Sequence, residues 1–202
     1  MSNGLHGNFR HFEAAIWNAL ASQLEGGGRE WAGKKIVVRK EPFAITLDVH
    51  AEIAGHASRL VTRLRAGFVN ADGFRFAVKR RAWWNDISKL FGEQDIEVGD
   101  APFDDAFMIR ASDEAKLKRL FGSAEVRTAL LECPAMQRLE VRDHEGWFGP
   151  DFPEGVDELY LEAEGRITDI EHLHELYRVF AFVLAALCHI GSAYEEDPGL
   201  KL

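Results

Sequence analysis

The feature that most constrains the fold is a long apolar helix predicted from Thr168 to Ala193. Thr168 and Glu171 have the spacing of a capping box, in which each side chain accepts a free backbone N–H at the start of the helix. Beyond them, apolar residues recur at helical spacing in two stripes. The first stripe is Leu173, Leu176, Tyr177, Phe180, Leu184, Leu187 and Gly191, and the second is Val179, Phe182, Val183, Ala186 and Ile190. A helix that is apolar on nearly all sides must be covered, so the rest of the chain is predicted to wrap it. The alternative is that a partner protein covers the second stripe.

This helix is not predicted to be transmembrane. The run without a polar side chain, Val179–Cys188, is about half the roughly 20 apolar residues that a span needs. Extending it toward the N-terminus brings in Arg178, Glu175 and His174. Apolar runs of this length are more typical of buried core helices.

The remainder of the chain predicts one α+β domain over residues 1–202, in which an antiparallel sheet carries the N-terminal and C-terminal helices on one face. An amphipathic helix is predicted over 9–25, ending at the three glycines 26–28. Residues 34–82 contain four runs in which apolar and polar residues alternate, which predicts a meander of four antiparallel strands. Its apolar face is expected to pack on the helices and its polar face to be solvated. The second half, 85–193, is predicted to mix short helices with strands near 95–98, 107–110, 138–142 and 158–163.

The polar side of the last two predicted strands of the meander is basic. It carries Arg63, Arg65, Arg75, Lys79 and Arg81. Residues 29–81 hold 12 Lys/Arg and 5 Asp/Glu, whereas residues 82–202 hold 11 and 26. These five residues are therefore a hypothetical anion-binding site for phosphate, nucleic acid or an anionic lipid. The alternative is a structural surface that the acidic second half neutralises. The overall charge of −9 argues against broad nucleic-acid binding.

The expected strand register sharpens this hypothesis. With residues 70–73 as the connection, one pairing sets Arg63 opposite Lys79, and a neighbouring one sets Arg65 opposite Arg75. Like charges placed side by side destabilise a sheet unless an anion or a carboxylate lies between them. Asp48 on the preceding strand is one candidate carboxylate.

Three aromatic residues are candidate protein-interface residues: Trp83, Trp84 and Phe182. If the strand continues through the two tryptophans, they point to opposite faces and one of them is exposed. If the chain bends before them, both belong to the core. Exposed aromatic residues are frequent anchors of protein interfaces.

No catalytic residue, metal site or cofactor is predicted. His50 and Glu52 form the H-x-E half of a zinc deaminase signature, but the P-C-x-x-C half is absent from the sequence. Glu171 and His174 form one E-x-x-H unit, whereas a di-iron bundle needs two, together with further glutamates. Cys133 and Cys188 lie among apolar residues without metal-ligand spacing, which is typical of buried free thiols in the cytoplasm. No signal peptide is expected at the N-terminus.

The segment from Phe103 to Ala115 resembles a bacterial family of uncharacterised domains. Phe103-Asp104-Asp105-Ala106-Phe107-Met108-Ile109 is similar to that family's F-D-x-x-F-x-V strand. The helix that follows, and the apolar C-terminal helix, come in the family's order. Members often carry membrane helices ahead of the soluble part, which this sequence lacks. The resemblance implies no catalytic residues.

Together these observations predict a non-catalytic soluble module, located in the cytoplasm, that acts through protein–protein contact. Its partner is expected to be another protein or a second copy of the chain, and the complex could be associated with a membrane. The competing prediction is an anion- or nucleic-acid-binding protein that uses the basic sheet face. An enzyme is the least supported of the three classes.

Overall fold

A computed structural model of the chain describes residues 29–31, 35–40, 42–54, 57–81, 95–143, 152–194, 196, 198–199 and 202. Within these ranges it contains nine strands and four helices. The strands are β1 (Arg29–Trp31), β2 (Lys35–Lys40), β3 (Phe43–Ala54), β4 (Ala57–Asn70), β5 (Phe76–Arg80), β6 (Phe107–Ala111), β7 (Met136–Arg142), β8 (Val156–Glu164) and β9 (Ala193–Tyr194). The helices are α1 (Ala101–Ala106), α2 (Glu114–Leu120), α3 (Ala124–Leu131) and α4 (Ile170–His189).

The strands form one antiparallel sheet in the order β1-β2-β3-β4-β8-β7-β5-β6, and β9 pairs with the end of β4. This confirms the predicted α+β class with an antiparallel sheet. The predicted meander is correct for β2, β3 and β4, but it is wrong for the fourth run, β5. Strand β8 occupies the place next to β4, and β5 lies between β7 and β6. Two strands from the second half of the chain thus separate β4 from β5.

Alternation along the strands gives the sheet one apolar face, and the helices pack on it. Leu64 and Phe68 on β4, Leu161 on β8 and Val78 on β5 are all fully buried in one continuous core. Helices α2, α3 and α4 contribute Leu117, Leu130 and Phe180, among others, to the same core. The described helices therefore form a second layer on that face.

Helix α4 begins one residue later than the capping box predicted. Its N-cap is Asp169, whose carboxylate accepts the backbone N–H groups of Glu171 and His172. A carboxylate at this position also interacts favourably with the positive end of the helix dipole. The helix ends before Gly191, whose φ of +77° is a backbone conformation that glycine adopts without a steric penalty.

The burial of α4 confirms one prediction and corrects another. Leu176, Phe180, Leu184 and Leu187 are all at most 3% exposed, so the main apolar stripe faces the core. Within the part of the chain that the structure describes, however, the helix is not covered on every side, because Phe182 is 41% exposed. Val179 and Val183 of the second stripe are buried, whereas Phe182 lies on the opposite, outward side. The wrapping prediction was wrong because apolar content alone does not determine how many sides of a helix are covered.

The segment that carries the family resemblance is a compact structural unit. Phe103 and Phe107 are fully buried, with ring centroids 4.8 Å apart. The Asp104 carboxylate accepts the backbone N–H groups of Val98, Gly99 and Asp100, which fixes the loop before α1. The sequence did not predict α1, because six residues are too few for a helical period to be recognised.

Residues 95–98 were predicted to be a strand and are not one. They lie beside the outer edge of β6, where Ile96 N–H donates to Ile109 O at 2.9 Å. The carboxylate of Asp95 accepts the Ile109 N–H at 2.7 Å. The Asp95 side chain thus takes the place of a backbone acceptor on a neighbouring strand, and it covers the outer edge of β6. The predicted helix over 9–25 lies outside the described residues, as do Trp83 and Trp84. So does a short helix that the sequence also predicts over 85–91, ahead of Gly92.

Candidate interaction surfaces

The outward side of α4 is one of two candidate surfaces. Phe182 is 41% exposed, and Ala185 beside it is also exposed. Ala181 and Ala186 flank them and are half-buried. No side chain between Val179 and Cys188 is polar, so this part of the helix offers solvent an aromatic ring surrounded by small apolar groups.

Charged residues border this surface on its N-terminal side. The guanidinium of Arg178 lies one turn before Phe182 and pairs with Glu132, at the end of α3, at 3.6 Å. Both side chains are more than half exposed, so the pair contributes little to stability. It places a pair of opposite charges at the border of this surface, one helical turn from Phe182.

The second candidate surface is the polar face of the sheet, opposite the helices. Two of the predicted anion-binding residues, Arg63 and Arg65, lie there on β4. Asp48 on β3 is directly opposite Arg63, and its carboxylate accepts Arg63 Nε at 2.6 Å and Arg65 Nη2 at 3.1 Å. One buried carboxylate therefore supplies the counter-charge to both arginines, as the sequence suggested for Asp48 and Arg63.

Tyr160 on β8 is the centre of the polar face. Its strand neighbours are Arg65 on β4 and Glu140 on β7. The guanidinium of Arg142 lies 3.7 Å from the Tyr160 ring centroid, and that of Arg138 lies 5.2 Å from it. Both contacts have the geometry of cation–π interactions.

Glutamates on β8 complete this arrangement. Glu162 accepts hydrogen bonds from Arg138 at 2.9 Å, from Arg59 at 2.6 Å and from the Tyr160 hydroxyl at 2.8 Å. Glu158, which is fully buried, accepts from Arg142. We call Asp48, Arg63, Arg65, Arg138, Arg142, Glu158, Tyr160 and Glu162 the ionic cluster. Its cations and carboxylates are interleaved, and each of these carboxylates contacts at least one arginine.

Of the other predicted anion-binding residues, Lys79 lies at the border of this cluster, whereas Arg75 and Arg81 pair with carboxylates outside it. Arg75 binds Asp157 through Nε at 3.2 Å and Asp143 through Nη1 at 2.7 Å. Arg81 forms an ion pair with Asp95, and Lys79 lies opposite Arg138. Because β8 and β7 separate β4 from β5, Arg63 is not opposite Lys79 and Arg65 is not opposite Arg75. The predicted registers were wrong for that reason.

The polar face is also less solvated than predicted. Asp48, Arg65, Glu140, Glu158 and Glu162 are all buried. Stacking accounts for part of this, since long arginine side chains lie across the Tyr160 ring and the carboxylates beside it. Buried charges of this kind are tolerated when each is paired and hydrogen-bonded.

The environment of the cluster shifts several pKa values. Burial favours the protonated form of Glu162, but Arg138, the Tyr160 hydroxyl and Arg59 together hold the pKa of Glu162 below its ordinary value. Burial and then Glu162 raise the pKa of Tyr160, so its hydroxyl stays protonated. Burial and then Arg63 lower the pKa of His50, at the margin of the cluster. Within the cluster, Glu162 is therefore ionised and the Tyr160 hydroxyl protonated at neutral pH.

Sequence reasoning identified Arg63, Arg65 and Asp48 but did not identify the members of the ionic cluster that β7 and β8 contribute. The signal was present as alternation: Glu158, Tyr160 and Glu162 occupy every second position of a predicted strand, and Arg138, Glu140 and Arg142 do the same. Their charges complement each other in register. The sequence pattern did not show that β7, β8 and β4 are neighbours, because no local pattern indicates the order of strands in a sheet.

The described residues contain no group of three or more His, Cys, Asp or Glu side chains that could hold a metal ion. Among them, no helix has both the length and the apolar character needed to cross a membrane.

The fold is similar to that of a solved protein, the mycobacterial trehalose monomycolate transport factor A. Its crystal structure matches with a TM-score of 0.50 and 8% sequence identity, over 92% of this chain and 95% of that one. At this identity the likeness shows the fold alone. No protein-family model and no curated protein matches the chain. The resemblance to the bacterial family of uncharacterised domains therefore stays a prediction.

Proposed function

We propose that this protein is a non-catalytic interaction module that binds another protein through the outward side of α4. The observation that carries the proposal is the exposure of Phe182 in the middle of a helical run without polar side chains. The outward side of a surface helix is normally polar, because it faces water. An aromatic residue at this position is better explained by a partner that covers it.

The chemistry of the surface fits such a role. Aromatic residues are enriched in the buried centres of protein interfaces, and those that carry most of the binding energy are surrounded by contacts that exclude water. The alanines beside Phe182 leave space for a partner side chain to pack against its ring. Arg178 at the border adds a cation of the kind that interfaces favour.

The setting of this interaction is the second part of the proposal. A protein with a similar fold over nearly its whole length is a transport factor. By analogy of fold, we infer a role in transport, and we further propose, as the sequence suggested, that the complex is associated with a membrane. Because one fold can host many functions, this analogy is weaker support than the α4 surface itself.

The anion- or nucleic-acid-binding alternative has less support. Arg63 and Arg65 share Asp48, Arg75 binds Asp157, and Arg81 binds Asp95. An anion would have to compete with carboxylates that are already in contact with these arginines. We therefore interpret the five basic residues mainly as structural.

Photo-crosslinking in cells tests the proposal. A photoreactive phenylalanine analogue replaces Phe182 in one variant and Leu60, on β4, in a matched control. Leu60 is 43% exposed, which is close to the value for Phe182, but it lies on a strand rather than on α4. We expect a discrete adduct from position 182 that is absent from position 60. Identical patterns from the two positions, or none from position 182, would contradict the proposed function.

A further inference from the structure

We propose, building on the proposed function, that the protein bound by α4 is a second copy of this chain, and that the two α4 helices pack antiparallel. The residues involved are those of the outer seam, which we define as Glu171, Glu175, Arg178, Phe182, Ala185 and His189. Five of them are exposed, and Glu175 is half-buried. The seam runs along nearly the whole length of the helix.

Successive members of the seam are separated by four, three, four, three and four residues, so they form one stripe along the outward side of the helix. A stripe with this 3.5-residue average can face a second helix along its length, with side chains of each helix inserted between those of the other. Phe182 and Ala185, near the middle of the stripe, are its apolar members.

The charges along the seam favour one direction of packing. In an antiparallel pair, the first seam residue meets the last one of the other helix. Glu171 then lies beside the partner's His189, and Arg178 lies beside the partner's Phe182. The first contact joins a carboxylate to an imidazole that can donate a hydrogen bond. The second sets a guanidinium against an aromatic ring, which is a cation–π arrangement. By symmetry each contact forms twice.

The third pair of seam residues also fits the antiparallel register. Glu175 meets the partner's Ala185, where the small side chain leaves room for the longer one. A parallel pair would instead place Glu171, Glu175 and Arg178 each beside its own copy. Like charges in contact are unfavourable, so the seam complements itself in the antiparallel direction only.

The Arg178–Glu132 pair is compatible with this packing. The Arg178 side chain is 52% exposed while its Nη2 is 3.6 Å from Glu132 Oε2. The guanidinium faces therefore remain accessible to a ring from the partner.

The expected dimer is weak and reversible. One pair of helices buries less than the roughly 800 Å² per partner that a stable interface of standard size uses. We therefore expect sedimentation equilibrium of the full chain to show a monomer–dimer equilibrium with a dissociation constant on the order of 10–100 µM, toward the weak end of specific association. Phe182→Glu should weaken dimerisation at least tenfold, and Leu60→Glu should leave it unchanged.

An exchange of charges tests the direction of packing. Glu171→Lys and His189→Glu should each weaken the dimer, because each puts like charges in contact or removes the carboxylate–imidazole contact. The double variant should recover much of the loss, since the new lysine meets the partner's new glutamate only in the antiparallel register. A double variant no stronger than the weaker single variant would overturn this register.

The two proposals can fail separately. A parent chain that stays monomeric to several hundred micromolar, while position 182 still crosslinks to a different protein in cells, overturns the second-copy inference and leaves the proposed function standing. The absence of both dimer and crosslink overturns both. An adduct whose mass is twice that of the chain, formed at position 182 only, supports both.

Discussion

Asp48 on β3 and Arg63 on β4 lie directly opposite each other in the sheet, with Asp48 Oδ1 2.6 Å from Arg63 Nε. The second carboxylate oxygen accepts Nη2 of Arg63 and Nη2 of Arg65, each at 3.1 Å. All three side chains are at most 15% exposed. A single carboxylate therefore holds two largely buried arginines in place.

The first prediction concerns this carboxylate. Asp48→Ala leaves Arg63 and Arg65 without their shared counter-charge, and we expect it to lower the free energy of unfolding by about 3–5 kcal/mol. Urea denaturation measures the effect. The control is Glu114→Ala, which removes an exposed pair with Lys118 and should cost about 0.5 kcal/mol or less. Equal losses of unfolding free energy in the two variants would show that Asp48 does not stabilise the fold through Arg63 and Arg65.

The second prediction separates the two sides of α4. Phe180 is fully buried, and Phe180→Ala should lower the free energy of unfolding by about 3–5 kcal/mol because it leaves a cavity in the core. Phe182→Ala, two residues away on the outward side, should change it by about 0.5 kcal/mol or less. Comparable losses for both variants would mean that the outward side is covered within the monomer.

The sequence was sufficient to place most elements of the sheet and the core-facing stripe of α4. Strict alternation locates β3 and β4, and the helical spacing of Leu176, Phe180 and Leu187 identifies the buried side of α4. Both patterns are local, and each reflects one apolar face that must leave water. Short elements without a full period, such as α1, left no comparable signal.

The order of the strands could not be predicted from the same patterns. Glu158 and Glu162 lie beside β4 only because β8 pairs there, at a sequence separation of about a hundred residues. Alternation shows which residues share a face, but it contains no information on which strand lies next to which. The sequence therefore predicted Asp48 beside the basic face but not the arginines and glutamates that β7 and β8 add to it. The exposure of Phe182 was missed for a similar reason. The apolar content of α4 does not show which of its sides the other elements cover.

The third prediction concerns pH. Arg138, the Tyr160 hydroxyl and Arg59 outweigh burial and lower the pKa of Glu162 in the folded state. A carboxyl whose folded pKa is lowered stabilises the fold above its unfolded pKa of about 4.3, and this contribution is lost as the pH falls through the folded value. Urea midpoints should therefore decline below about pH 4.3. In Glu162→Gln the decline should be shallower and the stability at neutral pH lower. An unchanged slope would show that Glu162 is not a source of the acid sensitivity.

The fourth prediction concerns anions. Because Asp48 and Asp157 already pair with Arg65 and Arg75, phosphate at constant ionic strength should not raise the melting temperature of the parent more than that of the Arg65→Ala, Arg75→Ala double variant. A ligand that binds only the folded state raises the melting temperature by mass action. A rise confined to the parent would therefore establish the anion site and contradict our structural interpretation of these arginines.

The most direct test of the α4 interface is the size of the complex that the purified chain forms at a concentration well above the dissociation constant expected for its dimer. Size-exclusion chromatography compares the parent chain with Phe182→Glu and with Leu60→Glu, two exposed apolar positions of similar accessibility. Our account predicts that the parent and Leu60→Glu elute in a complex larger than the monomer, and that Phe182→Glu elutes as the monomer while keeping the parent's melting temperature. A parent that elutes as the monomer, or a Phe182→Glu variant that stays in the larger complex, would contradict it.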